Sequence, residues 1–279
     1  MPVETDWSVT FSMLGALEMC HEGRRIVVTS PSVRKVLALF LFRANSAVAV
    51  ETLVDELWDD KPPRSAVTTA QTYIYQLRRQ FNHEFGIKRH DMISTEDHGY
   101  VMHLVGCQTD AQRFTHLTEQ GRKHLDDHEP EQGVEVLRRA LNLWTGTALA
   151  NVHVGSVLKA HVAHMEEQRI LALELRIDAE LQLGRHRELV AELRNLVVTH
   201  PLNEWFHSRL ILALSRSGRR GEALAAYQDV HRILATELGI DPSRELRDLH
   251  YEVLTSETRA SALWTGALGV VAQPARIRR

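Results

Sequence analysis

Residues 9–14 and 25–29 carry the short-period apolar pattern of two β-strands, with the turn "HEGR" between them. The period then lengthens. In "SPSVRKVLALFLFRANSAV", Val33, Val36, Leu37, Phe40 and Leu41 recur at helical spacing; Ser30 is the expected cap and Pro31 the expected first position. A second, shorter helix, "VETLVDELW", sets Leu53, Val54, Leu57 and Trp58 on one side. The prolines of "DDKPPR" forbid helix continuation, so that stretch is a loop. A third helix follows in "PPRSAVTTAQTYIYQLRRQF", and "MISTEDHGYVMHL" reads as two β segments around a turn at His98 and Gly99. Strands, three helices and a closing hairpin within residues 1–108 predict a winged helix-turn-helix.

From Asp110 onward only helical periods occur. "LQLGRHRELVAEL" and "LSRSGRRGEALAAY" superpose on their Gly-Arg pairs, and Gly184 and Gly218 stand 34 residues apart, the period of tetratricopeptide repeats. "EPEQGVEVLRRALNLW" is a more diverged copy; unrelated helical hairpins with similar turns are the alternative. Stacked helix pairs form a concave solenoid, a shape that binds peptide or protein. Gly239 is expected to end one helix and Asp241, Pro242 and Ser243 to start the next. The fold class is therefore mainly α: a winged helix with small β elements over 1–108, a tetratricopeptide-like helical domain over 110–255, and a loosely ordered tail over 256–279.

Composition narrows the function classes. The 279 residues are 44% hydrophobic and 25% charged, which suits a globular chain long enough for two domains. The start "MPVETDWSVTFSML" lacks a signal-peptide pattern, and the longest apolar run, "VLALFLF", is too short for a bilayer, so a cytoplasmic location without membrane partners is expected. Cys20 and Cys107 lack metal or redox spacing and are expected to be buried and reduced. A net charge of -3 does not advertise nucleic-acid binding, and residues 1–108 hold 11 Lys and Arg against 13 Asp and Glu. Positive charge is instead local. Lys61, Arg64, Arg78 and Arg79 lie in a stretch, 61–81, that contains no carboxylate.

At about 100° per residue, Val67, Ala70, Ile74, Leu77 and Phe81 share a stripe that reads as core. Opposite lie Ser65, Thr68, Thr69, Thr72, Gln76 and Arg79, with Tyr75 beside them and Tyr73 and Arg78 on the flanks. An ordinary solvated face mixes Glu with Lys, whereas this one excludes acids. Phosphate repulsion accounts for the exclusion. Gln can bond a base edge, a Thr methyl can meet a thymine methyl, and Arg, Tyr and Thr can hold phosphates.

The N-terminal part resembles the OmpR/PhoB-type winged-helix DNA-binding domain through "VRKVLALFLFRANSAVAVETLVDELW", "PPRSAVTTAQTYIYQLRR" and "HGYVMHL". Residues 110–254 resemble the bacterial transcriptional activation domain through "DAQRFTHLTEQGR", "LRRALNLWTGTALA", "DAELQLGRHRELVAELRNLVVTHPLNE", "ALSRSGRRGEALAAY" and "LATELGIDPSRELRDLH". In this order the two resemble the Streptomyces antibiotic regulatory protein family. That resemblance implies an activator of a secondary-metabolite gene cluster that binds direct repeats near the promoter -35 region as a side-by-side homodimer and recruits RNA polymerase holoenzyme. It implies no enzyme activity and no cofactor, with double-stranded promoter DNA as partner and the nucleoid as location. By the same resemblance, Thr72 and Gln76 read bases with Thr68 and Tyr75 assisting, and Arg64, Thr69, Tyr73, Arg78 and Arg79 hold phosphate. Thr95, His98 and Tyr100 would belong to the wing, and Asp59, Asp60, Lys61, Pro62 and Pro63 to a loop facing polymerase.

The wing departs from the family pattern. "STEDHGY" places Glu96 and Asp97 where these domains carry a cation for the minor groove, leaving His98 or Thr95 for a weaker contact. No receiver domain is expected ahead of the winged helix, and no G-x-x-x-x-G-K-[ST] phosphate loop occurs. "HVAHMEE" sets His161 and His164 three residues apart with Glu167 following, an incomplete metal-ligand set. An interaction scaffold, or a repressor using the same domains, is the alternative function.

Overall fold

The computed structural model describes residues 9–85, 92–104 and 106–267, with side chains described through 255. Two compact units are present, Met1–Ala179 and Glu180–Arg279. No helix among the described residues is long and apolar enough to cross a membrane.

In the first unit, β1 (Val9–Ser12), β2 (Glu18–His21) and β3 (Arg24–Ile26) form an antiparallel meander. Strand β1 ends at Ser12, and residues 18–21 form a strand of their own that the sequence pattern did not suggest. The turn into β3 is carried by Glu22 and Gly23, both at positive φ. A further strand, β7 (Cys107–Thr109), pairs in parallel with β1 and completes the order β3-β2-β1-β7. Cys107 is buried as expected, whereas Cys20 in β2 is only half-buried.

Helix α1 (Pro31–Phe42) is buried along Val33 and residues 36–41. Ser30 occupies its N-cap position, but only its carbonyl is used, accepting from the Arg34 amide at 2.9 Å; the hydroxyl makes no cap bond. Strand β4 (Ala47–Val48), α2 (Val50–Trp58) and α3 (Ala66–Phe85) follow. The hairpin of β5 (Ile93–Glu96) and β6 (Gly99–Met102) then joins β4 in the order β4-β6-β5. At Gly99 (φ +144°), a Cβ would lie 2.1 Å from the Val48 carbonyl oxygen, so both conformation and close approach require glycine.

Thr109 opens α4 (Asp110–Asp126) with a capping box: its hydroxyl accepts from the Gln112 amide while the Gln112 side chain accepts from the Thr109 amide. Helix α5 (Pro130–Leu141) and most of α6 (Ser156–Gln182) complete the unit. Its main core runs from Val9 through the winged helix to Leu149, Val152 and Leu158, so packing does not stop at residue 108. A second core gathers Leu14 with Phe114, Leu137, Trp144 and Met165.

The second unit holds the end of α6, α7 (His186–Thr199), α8 (Glu204–Arg216), α9 (Arg220–Glu237) and α10 (Arg244–Ala267). The two Gly-Arg turns are built alike. Gly184 and Gly218 have φ of 76° and 78°, and their amides bond the carbonyls of Leu181 and Ser215. The Arg185 and Arg219 amides close wider loops onto Glu180 and Leu214. The backbone of α10 continues to Ala267, helical where the stretch from 256 was expected to be loosely ordered; residues 268–279 lie outside the described residues.

Candidate nucleic-acid interface

Helix α3 buries Ala66, Ala70, Ile74, Leu77 and Phe81. Val67, read from the sequence as core, is 51% exposed, and Ala66 takes its place. At 100° per residue the buried positions centre between Ala66 and Ile74, and Val67 falls about 60° from that centre, just outside the stripe.

The opposite face presents Ser65, Thr68, Gln71, Thr72, Tyr75, Gln76 and Arg79 to solvent, with Arg64 and Lys61 exposed in the preceding loop. No carboxylate interrupts it. Farther along, Glu84 is paired with Arg24 of β3, so its charge is answered within the unit. Tyr75 is 66% exposed, a large aromatic surface without a core to fill. The Thr72 hydroxyl donates to the Thr68 carbonyl at 2.9 Å, which leaves its methyl and its oxygen lone pairs for an incoming group. The Thr69 and Ser65 hydroxyls lie at 3.5 Å. Thr69 and Tyr73 are half-buried, the latter packed on the core edge.

Two residues are placed differently from their expected roles. Arg78 does not extend into solvent. Its Nε donates to the Ile93 carbonyl at 2.9 Å, one terminal nitrogen donates to Thr95 Oγ1 at 2.8 Å, and the guanidinium lies 5.6 Å from the Tyr100 ring centre. Tyr100, expected as a wing contact, is 9% exposed because β6 is the central strand of its sheet and turns this ring inward. The exposed tip of the hairpin consists of Thr95, Glu96, Asp97 and His98.

The loop of Asp59, Asp60, Lys61, Pro62 and Pro63 is exposed throughout. Asp59 has a second attachment: its Oδ1 accepts from the Ser156 amide at 3.0 Å. The neighbouring Glu56 is 1% exposed, and its carboxylate accepts from the amides of Gly155 (2.6 Å) and Leu158 (2.8 Å), with Lys35 Nζ 3.9 Å away. The end of α2 thus satisfies three backbone donors at the start of α6. At 100° per residue Glu56 falls about 130° from the centre of the side set by Leu53, Val54, Leu57 and Trp58, so the apolar pattern of α2 gives no signal that this carboxylate is buried.

Further ties join the winged helix to the segment behind it. The Asp110 carboxylate accepts from the amides of Met13 (2.7 Å) and Leu14 (3.0 Å); burial raises its pKa from the ordinary value despite these bonds. Asn151 exchanges side-chain hydrogen bonds with the backbone of Leu17, and Arg34 donates to the carbonyls of Val28 and Asn151. His161 stacks on Phe42 at 5.0 Å, and burial, with Arg43 and His164 nearby, lowers its pKa. Among the described residues no group of three or more His, Cys, Asp or Glu side chains could hold a metal ion.

Comparisons with known proteins bear on this arrangement. Residues 109–254 match the bacterial transcriptional activator domain, and residues 23–102 match the transcriptional regulatory protein, C terminal, family. Regulatory protein DnrI of Streptomyces peucetius is 36% identical over 88% of this chain and 92% of its own length. Regulatory protein AfsR of Streptomyces coelicolor is 33% identical over 93% of this chain, which spans only 26% of AfsR. A solved structure of Mycobacterium tuberculosis EmbR, in complex with a low-affinity phosphopeptide, is 28% identical with a TM-score of 0.81, covering 93% of this chain and 71% of that one.

Proposed function

The chain belongs to the Streptomyces antibiotic regulatory protein family of transcriptional activators and is not an enzyme, and we propose that it reads promoter DNA of a secondary-metabolite gene cluster through α3. The carrying observation is the acid-free exposed face of that helix. Thr72 and Gln76 stand on it as base readers with Thr68 and Tyr75 beside them, while Arg64, Thr69, Tyr73 and Arg79 serve the phosphates. The face is long enough, at about 1.5 Å of rise per residue, to follow a major groove across several base pairs.

We propose that residues 1–108 form the DNA-binding part, working in the cytoplasm on the nucleoid, and that two copies bind direct repeats side by side near the -35 region. The loop of Asp59, Asp60, Lys61, Pro62 and Pro63 lies at the end of α2 and is the proposed contact to RNA polymerase. Its support is exposure combined with stiffness: Asp59 is held to the Ser156 amide, so the loop is offered from a fixed base. The acidic tip of the hairpin, Glu96 and Asp97, is the part least suited to lie against phosphate.

A gel-shift titration tests the reading. Gln76→Ala should weaken binding to a preferred duplex by about 1–3 kcal/mol and relax preference at one base position. If Gln76→Ala binds with unchanged affinity and sequence preference, α3 does not read bases through Gln76.

A further inference from the structure

We infer that Arg78 is a positioning residue that clamps the wing hairpin to α3, instead of a phosphate ligand; the functional part of this inference rests on α3 being the DNA-reading helix. Strand β5 is the edge strand of its sheet, and an edge leaves carbonyls that need donors from elsewhere. Arg78 supplies them. Its Nε and one terminal nitrogen are two donors of a rigid planar fork, and they meet the Ile93 carbonyl and the Thr95 hydroxyl, two residues apart along the strand. Thr95 stands opposite Tyr100 in the hairpin register, and the guanidinium covers the Tyr100 ring. Three attachments fix the angle between hairpin and helix, while the next residue, Arg79, is exposed and directed away from the core.

A lysine at this position keeps the charge but offers a single point of attachment, which cannot meet both acceptors and cover the ring. Charge and fork can therefore be separated. The probe is a duplex selected by the wild-type chain from a random pool, titrated at several salt concentrations with the full chain carrying Arg78→Lys, Arg78→Ala, Thr95→Val, or Arg78→Ala with Thr95→Val. Hydrogen exchange of the hairpin amides in the free protein is measured alongside.

The clamp predicts that Arg78→Lys and Arg78→Ala weaken binding alike, roughly fivefold to tenfold, with the wild-type salt slope. Thr95→Val should weaken it less, and the double variant should be no weaker than Arg78→Ala alone. In all four, amides of residues 93–96 should exchange faster without DNA. A salt slope reduced by about one unit in Arg78→Ala, with Arg78→Lys near wild type, would make Arg78 a phosphate ligand and overturn the inference. Unchanged hairpin exchange would overturn it as well. Arg79→Ala and Gln76→Ala are the controls for the underlying reading: if neither alters DNA binding, the role of α3 fails, whereas the exchange data still decide the clamp.

Discussion

Glu56 is the residue whose replacement should most disturb the first unit. Its carboxylate is fully buried and accepts from the Gly155 and Leu158 amides at 2.6 and 2.8 Å. Hydrogen bonds to a charged group contribute about 1.5–3 kcal/mol each, and their loss strands two donors at a helix start. Lys35 would not be stranded, because its ammonium also donates to the Glu56 backbone carbonyl at 3.0 Å, which survives substitution. Two such bonds give about 3–6 kcal/mol for the destabilisation of the unit by Glu56→Ala, a large share of a typical domain's 5–15 kcal/mol. Glu56→Gln keeps the volume and one acceptor, so about half that loss is expected. Urea unfolding of the full chain gives the magnitude, and hydrogen exchange locates it. Amides of residues 155–158 should lose protection first, together with those at the end of α2. A Glu56→Ala variant within about 0.5 kcal/mol of wild type, the range of ordinary surface changes, would refute this account of how α2 meets α6.

Gly99→Ala combines a disallowed φ with a Cβ 2.1 Å from the Val48 carbonyl oxygen, and should cost more than about 2 kcal/mol in chemical denaturation. The lowered pKa of His161 means its neutral form is favoured in the folded state. The stability this contributes is present above the ordinary imidazole range and lost as pH falls through the lowered folded value, and His207 acts in the same direction in the second unit. The Tm should drop as pH is taken from 7 toward 5, and His161→Gln should show a smaller drop. Glu96→Arg should tighten DNA binding if the hairpin tip lies near phosphate, and an unchanged gel-shift affinity would place the tip away from the duplex.

Much of this arrangement is legible along the chain. The stripe of α1, the proline break before α3, the hairpin turn ahead of Gly99 and the paired glycines at 184 and 218 are local signals, set by helical period or by backbone conformations that few residues adopt. Strand β7 has no such signal. It is three residues long and exists because β1, nearly a hundred positions earlier, offers it a parallel edge. The family resemblance assigns Arg78 to phosphate; its partners in the structure come from the hairpin, and only folding brings them together. The exposure of Val67 is a matter of about 60° of rotation, finer than an apolar-polar pattern resolves. Asp110 opens the all-helical part of the sequence, yet it bonds back to Met13 and Leu14 and makes that boundary a packed joint. Glu56 carries the same lesson, since its partners lie a hundred residues downstream.

The most direct test of the central claim is selection of genomic fragments by the purified chain, run in parallel with Gln76→Ala and sequenced. The account predicts that wild type enriches fragments sharing a directly repeated motif upstream of promoters, and that Gln76→Ala enriches the same repeats with one position in each made degenerate. Identical motifs from both proteins, or no enrichment by wild type, would contradict the assignment of α3 as the helix that reads DNA.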